Sequence, residues 1–428
     1  MKFTTKIMGG IAAVSLLGSA SIAQAASDTL RVAHYDQPAQ MGMPYGTFGA
    51  NGAYQLYAIF DGLTFVDDDK SISPQLATEW KLTSSTTWEV TLRQGVTFHN
   101  GVAWNADAFL GNVDAINNDP IVSKQQARRQ LATIASAKKL GEYKVEVTTK
   151  AADPLFPKRL HIMRVHEPKA WKDLGPEKFA RNPVGTGSYR ITEWGMDRIK
   201  ATAYENAWRP PKIKNLDIVV IPEIATRVQA LNSGQVDIAW ALDTGSMQLV
   251  EAAGNKVVTS LRHDTLNLIL HHRKPGSPMT DVRVRRALNY AYDKETFVSE
   301  FMGGITKTNG QPADSSATGY FEDIKPYPYD PEKAKQLLAE AGYPNGFDMK
   351  IELVIASGEF GDTFQAMAQD FKRVGVNAEL VVLSIPIFVK KILAQQEWEG
   401  DAFTMMFESH PLADLSRVMA THSCNFFA

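Results

Sequence analysis

The stretch Val257–Asp293, VVTSLRHDTLNLILHHRKPGSPMTDVRVRRALNYAYD, constrains this chain more than any other. It begins as a β-rich run, breaks at Pro275, Gly276 and Pro278, and resumes as a helix. Thr280 can cap the first helical turn, and Asp281 suits the positive end of the helix dipole. Val284, Ala287, Leu288 and Ala291 recur at i, i+3, i+4 and i+7, the spacing of one buried helix face. The sequence before this stretch reads as one α/β body and the sequence after it as a second. The run is therefore the expected passage between two bodies, and a ligand held at that passage would touch both.

A chain of 428 residues, 44% of them apolar, can fill two or three cores at about 100–200 residues per domain. A net charge of −2 favours neither nucleic acid nor an anionic membrane as partner. At the N-terminus, Lys2 and Lys6 precede an apolar run from Ile7 to Leu17, followed by Ala23-Gln24-Ala25. That pattern is a secretory signal cut after Ala25. The apolar run falls short of the ~20 residues a membrane span needs. An exported chain fits the lone Cys424, which has no intramolecular disulfide to make.

Along the mature chain, Asp28–Tyr35 is a β run feeding a loop rich in Gly, Met and Pro. Gly52–Leu63 reads as a helix through Leu56, Ile59, Phe60 and Leu63. Trp88–Arg93 alternates as a strand, Asn105 caps a helix through Phe109, Val113 and Ile116, and Tyr143–Thr149 is the next strand. Pro154–Met163 looks like a short helix. In NPVGTGSYRITEW, Gly185 and Gly187 allow positive φ and YRITEW follows as a strand. No third glycine or helix follows, so a structural turn explains that pair better than a phosphate loop. Ile224, Val228 and Leu231 share a helix face, Gly234 ends that helix, and VDIAW enters the interior as a strand. Asp330-Pro331-Glu332 opens a helix with a buried stripe of Ala334, Leu337, Leu338 and Ala341. Phe364, Met367, Ala368 and Phe371 repeat the pattern before Gly375 and the strand NAELVVL.

WEVTLRQGVTFHNGVAWNADAFLGNV, NPVGTGSYRITEW and TRVQALNSGQVDIAW, in that order, resemble the extracellular solute-binding proteins of family 5. TDVRVRRALNYAYDKETFV and YDPEKAKQLLAEAGYPNGF extend the resemblance over nearly the whole mature chain. Members of that family bind oligopeptides, dipeptides, nickel chelates or opines for ATP-driven importers. The resemblance implies a two-lobed α/β fold, the type II periplasmic binding protein fold, whose large lobe carries an inserted subdomain. It places a signal peptide at 1–25, lobe I at 26–261 and lobe II at 262–428. It also implies a periplasmic monomer without cofactor that makes and breaks no bond, working with ABC permease subunits and ATPases in other chains. Family members usually continue well past the equivalent of Phe407–Phe427, and their last segment returns to complete the first lobe. On that basis a C-terminal return segment is missing here, and the 428-residue chain is expected to fold poorly or not to hold ligand.

The resemblance also marks candidate contacts. Arg164 lies where nickel-type members carry an arginine for a ligand carboxylate, a task that suits a guanidinium fork; a surface arginine is the alternative. Trp240 ends a strand aimed at the cleft, where stacking or core packing would occupy it. Tyr35 follows the first strand and lines either the cleft mouth or a loop. Phe407, Glu408 and Asp414 fall in FTMMFESHPLAD, where peptide-binding members place an aspartate for the peptide ammonium; Ser409 takes that position here. A buried ammonium needs a carboxylate, so this departure weakens an ordinary dipeptide reading. His410 and His422 lie where nickel-binding members use a histidine, with Cys424 near them, and support a metal-chelate alternative. His271 and His272 sit on the crossing strand, one facing each side. A peptide or amino-acid-derived ligand is the leading expectation, with the chelate and sugars or opines as alternatives. An exported hydrolase is the rival of another class, but no HExxH or GxSxG is present; a periplasmic scaffold or chaperone is a third reading.

Overall fold

The computed structural model describes residues 28–408, apart from 39, 47–53, 68, 70, 126–127, 260–263, 305, 314, 316, 355–358, 389 and 392–398. Its strands, in chain order, begin with β1 (Thr29–His34), the short pair β2 (Thr64–Val66) and β3 (Ile72–Pro74), β4 (Ala77–Ser84) and β5 (Thr87–Leu92). Next come helix α1 (Ala106–Asn118), α2 (Arg128–Leu131), β6 (Ile134–Gly141), β7 (Lys144–Thr149), α3 (Phe156–Arg159) and α4 (Pro168–Arg181). The first lobe ends with β8 (Tyr189–Trp194), β9 (Arg198–Ala203), β10 (Asn215–Val220), α5 (Ile224–Asn232), β11 (Ile238–Ala239) and α6 (Thr244–Ala252). The second holds β12 (Asp264–Leu270), α7 (Val282–Ala291), α8 (Lys294–Phe301), α9 (Pro331–Glu340) and β13 (Phe347–Leu353). It continues through α10 (Glu359–Arg373), β14 (Val376–Val382), α11 (Ile385–Phe388) and β15 (Ala402–Glu408).

Among the described residues, the two largest cores correspond to two lobes. One runs from Met43 to Ile218 and the other from Met279 to Ala402. The first lobe contains a five-stranded sheet in the order β11-β1-β10-β9-β8 and a four-stranded antiparallel sheet, β4-β5-β7-β6. The second lobe is built on β12-β15-β13-β14. Alternation dictates the smaller sheet. Trp88, Val90 and Leu92 of β5 and Val145 and Val147 of β7 point into the core, with Trp88 opposite Val147 and Val90 opposite Val145. Each such side chain contributes about 1.5–3 kcal/mol by leaving water. Asn105 caps α1 by accepting from the Asp107 and Ala108 amides, and Asp330 caps α9 through the Lys333 amide.

Four local expectations need correction. Among the described residues, 54–56 are helical and are followed by turns, not by a helix reaching Leu63, although Leu56, Ile59, Phe60 and Leu63 are all buried as the spacing required. Asp281, not Thr280, caps α7, accepting from the Arg283 amide. β11 is a two-residue edge strand with Ile238 and Trp240 partly exposed, because only β1 pairs with it. Gly185 and Gly187 do not have positive φ; they are needed for close approach. A Cβ on Gly185 would lie 2.1 Å from the Ile59 carbonyl oxygen, and one on Gly187 would lie 2.5 Å from the Ile59 carbonyl carbon.

That close approach fixes the geometry of the turn in energetic terms. The Gly187 amide donates to the Ile59 carbonyl and the Tyr189 amide to Ala58. Nearby, the fully buried Asp61 carboxylate accepts from the Thr186 hydroxyl (3.0 Å), the Trp208 indole (2.8 Å) and the Arg209 guanidinium. Trp208 is in turn covered by Arg93, 4.4 Å from its centroid. A buried carboxylate is stable only when its lone pairs are filled in this way.

Candidate functional site

The two large sheets turn equivalent edges toward the point where the chain crosses. β1, β10 and β11 are parallel, so their carboxyl ends lie together at His34, Val220 and Ala239. In the second lobe β13 runs parallel to β14 and β15, and β12, antiparallel to β15, starts beside its end, with Asp264 opposite Glu408. The chain leaves the first lobe from the carboxyl end of β11 through α6 and enters the second at the start of β12. Carboxyl ends of parallel strands carry the loops that build ligand sites in open α/β sheets. The lobes meet where Lys158 on α3 donates to the Thr318 hydroxyl at 2.8 Å. They meet again where Gly303, after α8, sits against the methyl group of Thr244, which a side chain there would meet at 3.2 Å.

An aromatic surface forms at the carboxyl ends of β1 and β11. Tyr54 and Trp240 have centroids 5.5 Å apart, and His34 stacks on Trp240 at 5.9 Å and on Tyr35 at 4.9 Å. Trp240 and Tyr54 stay 37% and 38% exposed, whereas His34 is buried. The His34 Nδ1 donates to the Asp36 carbonyl at 2.7 Å, leaving a bare lone pair on Nε2 in the neutral ring. Arg227 fixes the backbone beneath. Its guanidinium donates to the carbonyls of Ile221, Pro222 and Ala241 and lies 5.9 Å from the Tyr35 centroid. Ala241 has φ +54, a left-handed conformation costly to a residue with a Cβ. The Arg227 bond to its carbonyl offsets that cost and sets the exit direction of Trp240.

A second group continues from the same turn. The Tyr57 hydroxyl donates to His161 Nε2 at 2.7 Å, while His161 Nδ1 donates to the Thr64 carbonyl at 3.2 Å. Arg164 lies 5.1 Å over the Tyr57 ring and donates to the Pro44 carbonyl at 3.0 Å. Burial pushes the Tyr57 and Tyr45 hydroxyls above their ordinary pKa, with the Arg164 charge opposing. Next to them His166 is wholly buried among Tyr45, Trp171 and Phe179, and burial pulls it down to about 3, so it is neutral near pH 7.

The structure thus brings Tyr35 and Trp240 into one cluster. Arg164 belongs to the neighbouring group and is fully buried, which overturns the surface alternative. Phe407 and Glu408 stand at the end of β15, opposite Thr265 and Asp264. Ser409, His410, Asp414, His422 and Cys424 lie outside the described residues, as do the signal sequence and its cleavage point. His271 and His272 are not on the crossing strand. They follow β12 at the far end of its sheet, where the His271 amide donates to the Asp401 carbonyl, so no alternation applies to them. Among the described residues no group of three or more His, Cys, Asp or Glu could hold a metal ion, and no helix is long and apolar enough to cross a membrane. His34, Tyr54, Arg227 and Lys158 escaped sequence reasoning. Tyr54 and Tyr57 at i, i+3, beside a turn of buried Leu56 and Ile59, were the available signal.

The lobes, sheets and crossing define a two-lobed α/β binding fold. The family model for bacterial extracellular solute-binding proteins, family 5, matches residues 71–412, and the chain belongs to that family. It is 27% identical over 337 residues to the glutathione-binding protein GsiB of Shigella flexneri, covering 76% of this chain and 64% of that protein. It is 29% identical over 347 residues to heme-binding protein A of Haemophilus influenzae, covering 74% and 63%. The chain thus spans less than two thirds of the length of these curated relatives. Among solved structures, NikZ of Campylobacter jejuni in complex with Ni(L-His) superposes with a TM-score of 0.75 at 24% identity, covering 90% of this chain and 78% of that one.

Proposed function

We propose that this protein captures a small solute between its lobes and delivers it to an ABC-type importer. The observation that carries this reading is the half-exposed Trp240–Tyr54 surface at the carboxyl ends of β1 and β11, where the chain leaves the first lobe. A partly apolar surface backed by the rigid Arg227 clamp suits a ligand that is desolvated on closure. The leading ligand class is a peptide or amino-acid derivative, supported by similarity to a glutathione-binding protein. Tyr35, Trp240, Phe407 and Glu408 are its proposed contacts, with Asp414 beyond them and Arg164 behind the Tyr57 ring.

The alternative is a nickel or other metal chelate, supported by the fold shared with NikZ and by His410 and His422 in the sequence. In either case the protein catalyses nothing, acts as a periplasmic monomer after signal cleavage, divides near residues 261/262, and depends on permease and ATPase subunits. Native mass spectrometry of the periplasmic protein, followed by calorimetric titration with glutathione, a dipeptide and Ni(L-His), tests the reading. One-to-one binding of an unaltered molecule supports it. Turnover of a peptide into products would revive the hydrolase reading and defeat this one.

A further inference from the structure

We infer that Lys158 and Thr318 form an interlobe latch that holds the two lobes together, independently of which ligand the protein takes. Lys158 is only 8% exposed although it carries an ammonium group, and its Nζ reaches 2.8 Å to the Thr318 Oγ of the other lobe. The two residues lie in segments on either side of the crossing and are separated by 160 positions. Burying an ammonium costs free energy that its hydrogen bonds must return, and a hydrogen bond to a charged group is the stronger kind.

Both ends of the contact are braced. Lys158 sits on α3, whose Pro157 carbonyl accepts from the Thr64 hydroxyl at 2.8 Å, fixing the helix to β2. On the other side, the Gln311 side chain donates to the Phe321 carbonyl (2.7 Å) and accepts from the Phe321 amide (3.1 Å). This closes a loop at its base. Thr265 on β12 donates to the Pro312 carbonyl at 3.3 Å, tying the base of the loop to the second lobe's sheet. The loop therefore follows the second lobe as a body, so that separating the lobes breaks the Lys158 bond instead of stretching the loop. An interaction made only when the lobes are together shifts their equilibrium by its full differential free energy.

The test measures interlobe distance by double electron–electron resonance on the full chain without added ligand. Spin labels go on Met196→Cys in the first lobe and Val382→Cys in the second, both well exposed, in a Cys424→Ser background. Lys158→Met keeps the aliphatic stem and removes the donor, and is expected to raise the open-to-closed ratio roughly tenfold. Thr318→Val should do the same, and the double variant should be no more open than either single one. Because Thr318 is an exposed loop residue, its variant keeps the test available if Lys158→Met does not fold. Unchanged distances in a folded variant, or additive opening in the double variant, would overturn the latch. Neither outcome depends on ligand identity, so a failed latch is distinguishable from a failed transport reading.

Discussion

Replacing Gly185 by alanine tests whether the NPVGTG turn is fixed by space or by backbone torsion. The added Cβ would stand 2.1 Å from the Ile59 carbonyl oxygen and 2.6 Å from Phe60 Cδ1. One neighbour is backbone and the other fully buried, so the turn must move by about 1 Å to reach an ordinary contact. Overpacking of this kind costs about 1–3 kcal/mol. The movement also weakens the bonds from the Gly187 amide to Ile59 and from the His99 amide to Gly185, each contributing about 1 kcal/mol. The expected total is about 4 kcal/mol. Gly95→Ala is the control, because Gly95 has φ +75 and nothing within 4 Å, so its cost is torsional alone at roughly 1–2 kcal/mol. Tryptophan fluorescence during urea unfolding reports the first lobe, which holds seven of the eight tryptophans. With a slope near 3 kcal/mol/M, the midpoint should fall by about 1.3 M for Gly185→Ala and about 0.5 M for the control. A Gly185→Ala shift no larger than the control would refute the steric argument.

Other substitutions probe the remaining groups. Asp61→Ala should cost about 2 kcal/mol in the same assay, below the roughly 3–5 kcal/mol of a fully buried broken ion pair, because the half-exposed Arg209 can rehydrate. Arg227→Met strips donors from three carbonyls and should cost roughly 3 kcal/mol, while raising the quenching of Trp240 by acrylamide as Ala241 relaxes. His166 stays neutral in the folded state down to about pH 3 but takes a proton near pH 6.5 once unfolded. Its folded pKa is the lower one, so its contribution is neutral above about pH 7 and becomes destabilising as pH falls through 6.5. Stability should drop by up to about 1.4 kcal/mol per pH unit between 6 and 4, and His166→Phe should flatten that slope. Asp330→Ala removes the α9 cap and should cost about 1 kcal/mol, visible as loss of second-lobe stability by circular dichroism.

Much of this fold was legible in the linear pattern because local periodicity carries it. The α7 face of Val284, Ala287, Leu288 and Ala291, the Asn105 and Asp330 caps, and the alternation of β5 and β7 each follow from spacing within about ten residues, and each is buried or bonded as that spacing requires. Five ordered motifs were enough to imply the family. What no local pattern could state was which distant segments touch. Gly185 looks like a torsional glycine until Ile59, 126 positions earlier, is found against it; Arg164 looks like a surface residue until Tyr57 and Pro44 enclose it. His34, Tyr54 and Trp240 become one surface only because β1 pairs in parallel with β11. The sequence by itself determined the elements and their order, since helices and strands are set by nearest neighbours. Tertiary packing alone decided the aromatic surface, the Arg227 clamp and the Lys158–Thr318 contact, because each depends on side chains brought together by sheet topology across tens to hundreds of residues.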